Sequence, residues 1–382
     1  MRGHVRKRGT SWAVVVDVGR PPEPGRRRQK WHSGFRTRKE AERALAEIVG
    51  RIGRDDYVAP STKSVGAFLD EWLASMEARV RPSTYESYSR NLRVHVRPAI
   101  GELALQGVGP AQLNALYGAL LQNGRADGRG GLKPRTVRYV HTILHRALRD
   151  AVRWGLLVRN PADLADPPSS SAARPGEMRT WSAKELRAFL EHTAEQRLHV
   201  AFLLAATTGM RRGEVAGLKW ADVDFEGSRL AVRRSLTTAG YQVNWSEPKT
   251  DRSRRSVALD PQTLEALRAH RARQAEEKLA LGPAYADQDL VFAREDGEPL
   301  HPERLSRLFA QNLRAAGLPP IRLHDLRHTH ATLALQAGVH PKVVSERLGH
   351  GDVGITLNVY SHAIPAMEEE AAARVAALVF GA

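Results

Sequence analysis

At 382 residues the chain exceeds one ordinary core and calls for two or three domains, and its formal net charge of +16 points to a polyanionic partner, nucleic acid first. The absence of cysteine removes disulfides, thiolate nucleophiles and cysteine-type zinc sites together, so any covalent chemistry must use an oxygen or nitrogen nucleophile. The longest apolar runs, such as the one at Ala201, are far too short for a membrane span, and no leader with a basic start and an apolar middle opens the chain, so a cytoplasmic protein is expected, nucleoid-associated if its polyanionic partner is DNA.

The expected fold class is mainly α with small β-sheets, an α+β chain of three modules. Residues 1–56 read as a three-stranded sheet followed by a helix. Residues 12–18 are a Val-rich run, residues 29–35 a further candidate strand, and the Pro/Gly-rich stretch 19–25 separates them. Thr37 and Glu40 make the S/T-x-x-E capping box at the start of the helix. The segment holds fifteen Lys and Arg against seven acids, so +8 of the chain's +16 lies here. On a ribbon that also carries Trp12 and Trp31, such charge suits a reader that lays strands in a DNA groove, with Arg26, Arg27, Arg28 and Lys30 as candidate contacts. A solvated basic face is the plainer alternative.

Residues 61–166 turn helical. Phe68, Leu69, Trp72, Leu73 and Met76 recur at helical spacing over residues 65–76. Pro82 opens a helix through Val96, Pro110 one through Leu121 and Pro134 a long one through Trp154, each proline suited to a first helical turn. Arg135, Arg138, Arg146 and Arg149 on the last of these are ordinary surface charge or, given an anionic partner, part of a helical clamp on DNA. Residues 160–177, rich in Pro, Ser and Ala, read as an extended linker to a third module, residues 177–382.

In that module Ser182 and Glu185 cap a helix, and the buried run 200–207 ends at Gly209. TGMRRGEVAGLKW follows, with Arg211 at a turn between helices and Glu214 one turn on, placed to orient it. An arginine fork offers paired donors to two phosphate oxygens, which lysine's point charge does not. Residues 229–235, 241–245 and 255–259 suggest one small antiparallel sheet, and EPKTDRSRR between the last two carries Lys249 at its tip. A lysine on a mobile hairpin is most often solvated, but one that must reach beside a phosphodiester would be mounted the same way.

Residues 322–360, RLHDLRHTHATLALQAGVHPKVVSERLGHGDVGITLNVY, place His324, Arg327, His328, His350 and Tyr360 on two short helical patterns joined at Gly338 and Pro341. Residues three and four apart share a helix face, so His324, Arg327 and His328 can address one target. Taken singly, each is more often structural. His324 and His328 also have the spacing of a zinc-peptidase helix, with Asp325 where such helices carry Glu, although the shorter side chain misplaces the carboxylate for a metal-bound water.

TGMRRGE, EPKTDRSRRSVAL, HDLRH, LGH and NVYSH, in this order and spacing, resemble the catalytic domain of tyrosine recombinases, the phage-integrase family. The helical segment resembles that family's core-site-binding domain and the first segment its arm-binding domain. The resemblance implies Tyr360 as nucleophile, Arg211 and Arg327 as a phosphate clamp, Lys249 as the acid for the leaving oxygen, His324 as proton shuttle, His350 as a further phosphate donor and Glu214 as support. It implies strand transfer through a 3′-phosphotyrosine with no metal and no cofactor. The partners it implies are double-stranded DNA at core and arm sites, a homo-tetramer on that DNA, and an excisionase or host DNA-bending protein. His328 and His330 match no chemical role and are read as structural. The run 365–380 is read as a helix for docking a neighbouring subunit or for packing on its own domain. A type IB topoisomerase and a DNA-binding regulator with an unused site are the other readings.

Overall fold

A computed structural model describes residues 3–17, 29–53, 57–174, 176, 178–240, 242–246, 254–349, 352–354, 357, 376–377 and 379–381. The chain divides into two compact units, residues 1–175 and 176–382. Among the described residues no helix is long and apolar enough to cross a membrane.

The first unit opens with an antiparallel sheet of β1 (Gly3–Arg8), β2 (Ser11–Asp17) and β3 (Gln29–Phe35), in that order. Arg8 pairs with Ser11 across a two-residue turn, where Gly9 takes φ 61° at no steric cost. Side chains alternate along β2, so Val14 and Val16 share a face and pack with Ala41 and Ile52 of α1 (Arg38–Gly53). Thr37 and Glu40 form the expected reciprocal cap: the Glu40 backbone N–H donates to Thr37 Oγ1 at 3.2 Å, and the Thr37 N–H donates to Glu40 Oε2 at 3.3 Å.

Within the same unit, α2 (Val65–Met76), α3 (Pro82–Asn91), α4 (Arg97–Ile100), α5 (Pro110–Asn123) and α6 (Pro134–Arg153) enclose an apolar core. Val137, Val140, Leu144, Ala147, Leu148 and Ala151 give α6 one buried stripe. Trp72 Nε1 donates to Asp150 Oδ2 at 2.9 Å, so the polar end of a buried indole ties α2 to α6. The helix expected from Pro82 through Val96 instead passes at Leu92 into a π-helical turn, where the Arg97 N–H donates to Leu92 O, before Pro98, which has no N–H to continue the α ladder. The expected extended linker is also corrected at its start. Pro161–Leu164 is a 3₁₀ turn with Pro161 and Ala162 buried, Asn160 caps it, and the Asp166 N–H donates to Asn114 Oδ1 at 2.7 Å.

Among its described residues the second unit packs α7 (Ala183–Thr193), α8 (His199–Thr208), α9 (Arg212–Ala216), α10 (Pro261–Leu281), α11 (Pro302–Ala315), α12 (Asp325–Gln336) and α13 (Pro341–Leu348) with five short strands. Trp181, Phe189, Phe202 and Phe309 form the aromatic centre of its core. The expected single sheet is two: β4 (Val223–Asp224), β5 (Arg229–Val232) and β8 (Arg255–Ala258) pair in that order, while β6 (Ser235–Ala239) and β7 (Gln242–Ser246) form a separate hairpin. That hairpin lies backbone to backbone against α9, since a Cβ on Gly213 would stand 2.4 Å from Leu236 O. The run expected to be helical over 365–380 lies almost wholly outside the described residues.

Candidate active site

The site grows from two glycines at helix ends. Gly209 closes α8 at φ 66°, and a Cβ there would meet Leu348 Cδ2 at 2.5 Å and His330 Cδ2 at 2.9 Å, so the chain can turn this tightly against α12 and α13 only without a side chain. Its carbonyl accepts a 2.8 Å hydrogen bond from Nη1 of Arg327, which is 3% exposed. Two residues on, Arg211 is the N-cap of α9. The Arg211 N–H donates to Glu214 Oε2 at 2.9 Å, its Nη1 to Glu214 Oε1 at 2.8 Å, and its Nη2 to the carbonyl of Gly349 at 3.2 Å. Gly349 ends α13 at φ 68° and directly precedes His350.

Glu214 holds more than Arg211. Arg255, the first residue of β8, donates to both of its carboxylate oxygens. Burial alone would raise the Glu214 carboxyl, but the Arg255 hydrogen bond and charge, then the Arg211 charge and backbone N–H, outweigh it and hold the group below its ordinary value. Glu214 therefore stays an acceptor and keeps its arginines in place. Arg255 was not singled out from the sequence, although it shares the inward face of β8 with buried Val257 two positions on, which an alternation count would have shown.

His324 is the N-cap of α12, three residues before Arg327. Its ring meets that of His328 edge to face at 5.3 Å and 85°. Burial lowers the His324 imidazole below 6.5, and the charges of Arg327, Arg322 and Arg211 lower it further against the pull of Asp325. A neutral imidazole at neutral pH is the form that accepts a proton. The sign for activity follows: a base with a depressed value stays competent down to lower pH. The acidic limb of single-turnover DNA cleavage should therefore fall below pH 6.5, and a limb centred above it would count against His324 as acceptor.

The zinc-peptidase reading loses its general base. The Asp325 carboxylate accepts from Arg322 Nη2 at 2.7 Å, Nε at 3.0 Å and the backbone N–H at 2.8 Å, so it is committed to a neighbour. His328, pushed to about 4 mainly by burial, and His330, pushed to about 4 by burial and then Arg347, are neutral. His330 bridges the Ala206 carbonyl at Nδ1 and Arg347 Nε at Nε2, a brace under Gly209, in keeping with a structural role.

Arg211, Glu214, His324 and Arg327 thus converge. Lys249, His350 and Tyr360 lie outside the described residues, as do Arg26, Arg27 and Arg28. Lys30 is exposed on β3. On α6, Arg135 and Arg149 are exposed, whereas Arg138 donates to the Pro168 carbonyl at 2.7 Å and Arg146 to Tyr88 Oη at 3.0 Å, so these two already serve internal contacts.

Residues 178–367 match the phage integrase family, residues 4–52 an arm DNA-binding domain, and residues 64–121 the N-terminal SAM-like domain of phage integrases. The chain is 30% identical over 377 residues to a protein of Caldanaerobacter subterraneus subsp. tengcongensis named tyrosine recombinase XerC-like, covering 94% of each. Its fold is similar to that of the Tn1549 transposon integrase solved with a circular intermediate DNA, at TM-score 0.66 and 19% identity, over 81% of this chain and 98% of that one. It is also similar to lambda integrase solved as a tetramer bound to a Holliday junction, at TM-score 0.56 and 19% identity, over 94% of each chain. With five motifs in order, Arg211 held by the Glu214 carboxylate and Arg327 by the Gly209 carbonyl, and a relative matched over nearly its whole length, the chain belongs to the phage integrase family of tyrosine recombinases.

Proposed function

We propose that this tyrosine recombinase is an integrase that inserts or excises a phage or other mobile element, with residues 177–382 doing the chemistry, 61–166 gripping the core site and 1–56 holding a separate arm site on double-stranded DNA. The observation that carries the reading is the fixed arginine pair: Arg327 anchored on the Gly209 carbonyl and Arg211 on Glu214, meeting beside a neutral His324. Such preorganised donors favour a phosphorane, whose charge exceeds that of the ground-state diester.

The chemistry then follows by role. The Tyr360 hydroxyl, with an ordinary pKa of about 10, attacks phosphorus while His324 takes its proton. Arg211, Arg327 and His350 hold the nonbridging oxygens. Lys249 delivers a proton to the departing 5′ oxygen, so the P–O5′ bond breaks as the P–O(Tyr) bond forms. The phosphodiester energy remains in the 3′-phosphotyrosine, and a second 5′ hydroxyl can attack it and rejoin strands without ATP. Exchange between two duplexes needs four such sites. The homo-tetramer proposed here is supported by the assembly seen for lambda integrase. An excisionase or host DNA-bending protein would set direction, and nucleoid association would follow from DNA binding. Two DNA-binding modules on one chain raise the effective concentration of the weaker site.

Incubation with a nicked suicide duplex tests the reading. A gel-stable, protease-sensitive protein–DNA adduct is expected, and its absence would remove every covalent mechanism. Deleting residues 1–54 should leave core-site cleavage measurable and weaken assembly on a full attachment site, so unchanged integration by the truncated chain would count against the arm-site assignment.

A further inference from the structure

Arg255 has no role in the chemistry above, yet its contacts tie the site together. Its side chain is 6% exposed, and its Nη2 and Nη1 donate to Glu214 Oε2 and Oε1 at 2.8 and 3.2 Å. From the other edge, Nε donates to the Arg347 carbonyl in the last turn of α13 at 2.7 Å. Gly349 lies against it: a Cβ there would stand 3.1 Å from Nη1 and 3.2 Å from Cδ. The Gly349 carbonyl accepts from Arg211 Nη2, and Arg211 returns through Nη1 to Glu214. The contacts therefore close a ring, from Arg255 to Glu214, to Arg211, to Gly349, and along α13 to Arg347 and Arg255 again.

Three segments meet in that ring. The start of α9 supplies Arg211 and Glu214, the end of α13 runs into His350, and β8 follows the segment that holds Lys249, six positions before Arg255. Acceptors on two sides of one planar group suit a guanidinium, whereas an ammonium cannot meet a carboxylate face-on and a carbonyl at the other edge together.

We propose that Arg255 is a positioning residue for strand cleavage: by clamping both oxygens of Glu214 and the α13 carbonyl, it sets where the Arg211 guanidinium stands over the scissile phosphate. The proposal rests on the recombinase reading. It differs from a plain structural brace in what happens when the fold is kept and the clamp is lost.

The test uses the full chain, with single-turnover cleavage of a nicked suicide duplex, DNA affinity and the unfolding midpoint measured together. Arg255→Lys is expected to slow cleavage about 10- to 100-fold through displacement of Arg211, with DNA affinity unchanged. Arg255→Met alone removes one partner of a buried ion pair and should lower the unfolding midpoint, whereas combining it with Glu214→Gln removes both buried charges, so the midpoint should return toward wild type. Cleavage should stay low, because Arg211 has lost its carboxylate anchor. Wild-type cleavage by Arg255→Lys, or recovery of stability and cleavage together in the double variant, would overturn the proposal. Those results would leave the recombinase reading standing, whereas a wild-type chain that forms no adduct on the same duplex would bring down both.

Discussion

Replacing Tyr360 with Phe should abolish the covalent protein–DNA adduct altogether while binding to the same duplex persists. The substitution removes one oxygen and leaves the ring, so packing and charge are nearly conserved and the nucleophile alone is lost. No cysteine exists anywhere in the chain to substitute for it. The measurement is a suicide-substrate assay read on a denaturing gel, with wild type and Tyr360→Phe side by side and each repeated in EDTA. Wild-type adduct in EDTA and none from the variant is the expected pattern. An adduct from Tyr360→Phe would place the nucleophile elsewhere, and loss of wild-type cleavage with chelator would revive a metal-dependent mechanism.

The parts of the fold that were legible in the sequence are those fixed by local chemistry. Pro82, Pro110 and Pro134 start helices because their missing N–H is unneeded there, and Thr37/Glu40 and Ser182/Glu185 form reciprocal caps. The sequence does not mark α10, because its inward face is not uniformly apolar, whereas α11 carries Leu305, Phe309 and Leu313 at four-residue intervals behind Pro302, a legible helical signal that went unread. His270 and Gln274 on α10 face the core, where they bond the Val291 carbonyl and Trp220 Nε1. Polar residues satisfied by distant partners break the 3.6-residue apolar count without weakening the helix.

The site divides along the same line. Arg211, Glu214, His324 and Arg327 could be named from motif order, since each sits within a few residues of a helix end that the sequence marks. Arg255 could not, because what it does depends on a carboxylate 41 positions away and a carbonyl 92 positions away. Motif spacing records what lies along one element; it does not record which elements will be pressed together. Only the packing of β8 against α9 and α13 turns an unremarked arginine into the partner of Glu214.

Arg327→Ala and Arg211→Ala should each slow cleavage by about 10²–10³-fold or more, the scale seen when one preorganised transition-state donor is removed, with little change in DNA affinity. The two need not behave alike. Arg327 is 3% exposed and fastened to the Gly209 carbonyl, so its loss also frees a buried acceptor at the turn that precedes Arg211, and the unfolding midpoint should fall with the rate. The Arg211 side chain is 39% exposed, and Glu214 keeps Arg255 when Arg211 is gone, so this variant should lose cleavage at nearly unchanged stability. The comparison is made by single-turnover cleavage and thermal unfolding on the same preparations. Equal and small losses of cleavage in both variants would mean that the scissile phosphate is gripped elsewhere. If affinity fell in step with rate, the arginines would be holding the ground state rather than the phosphorane.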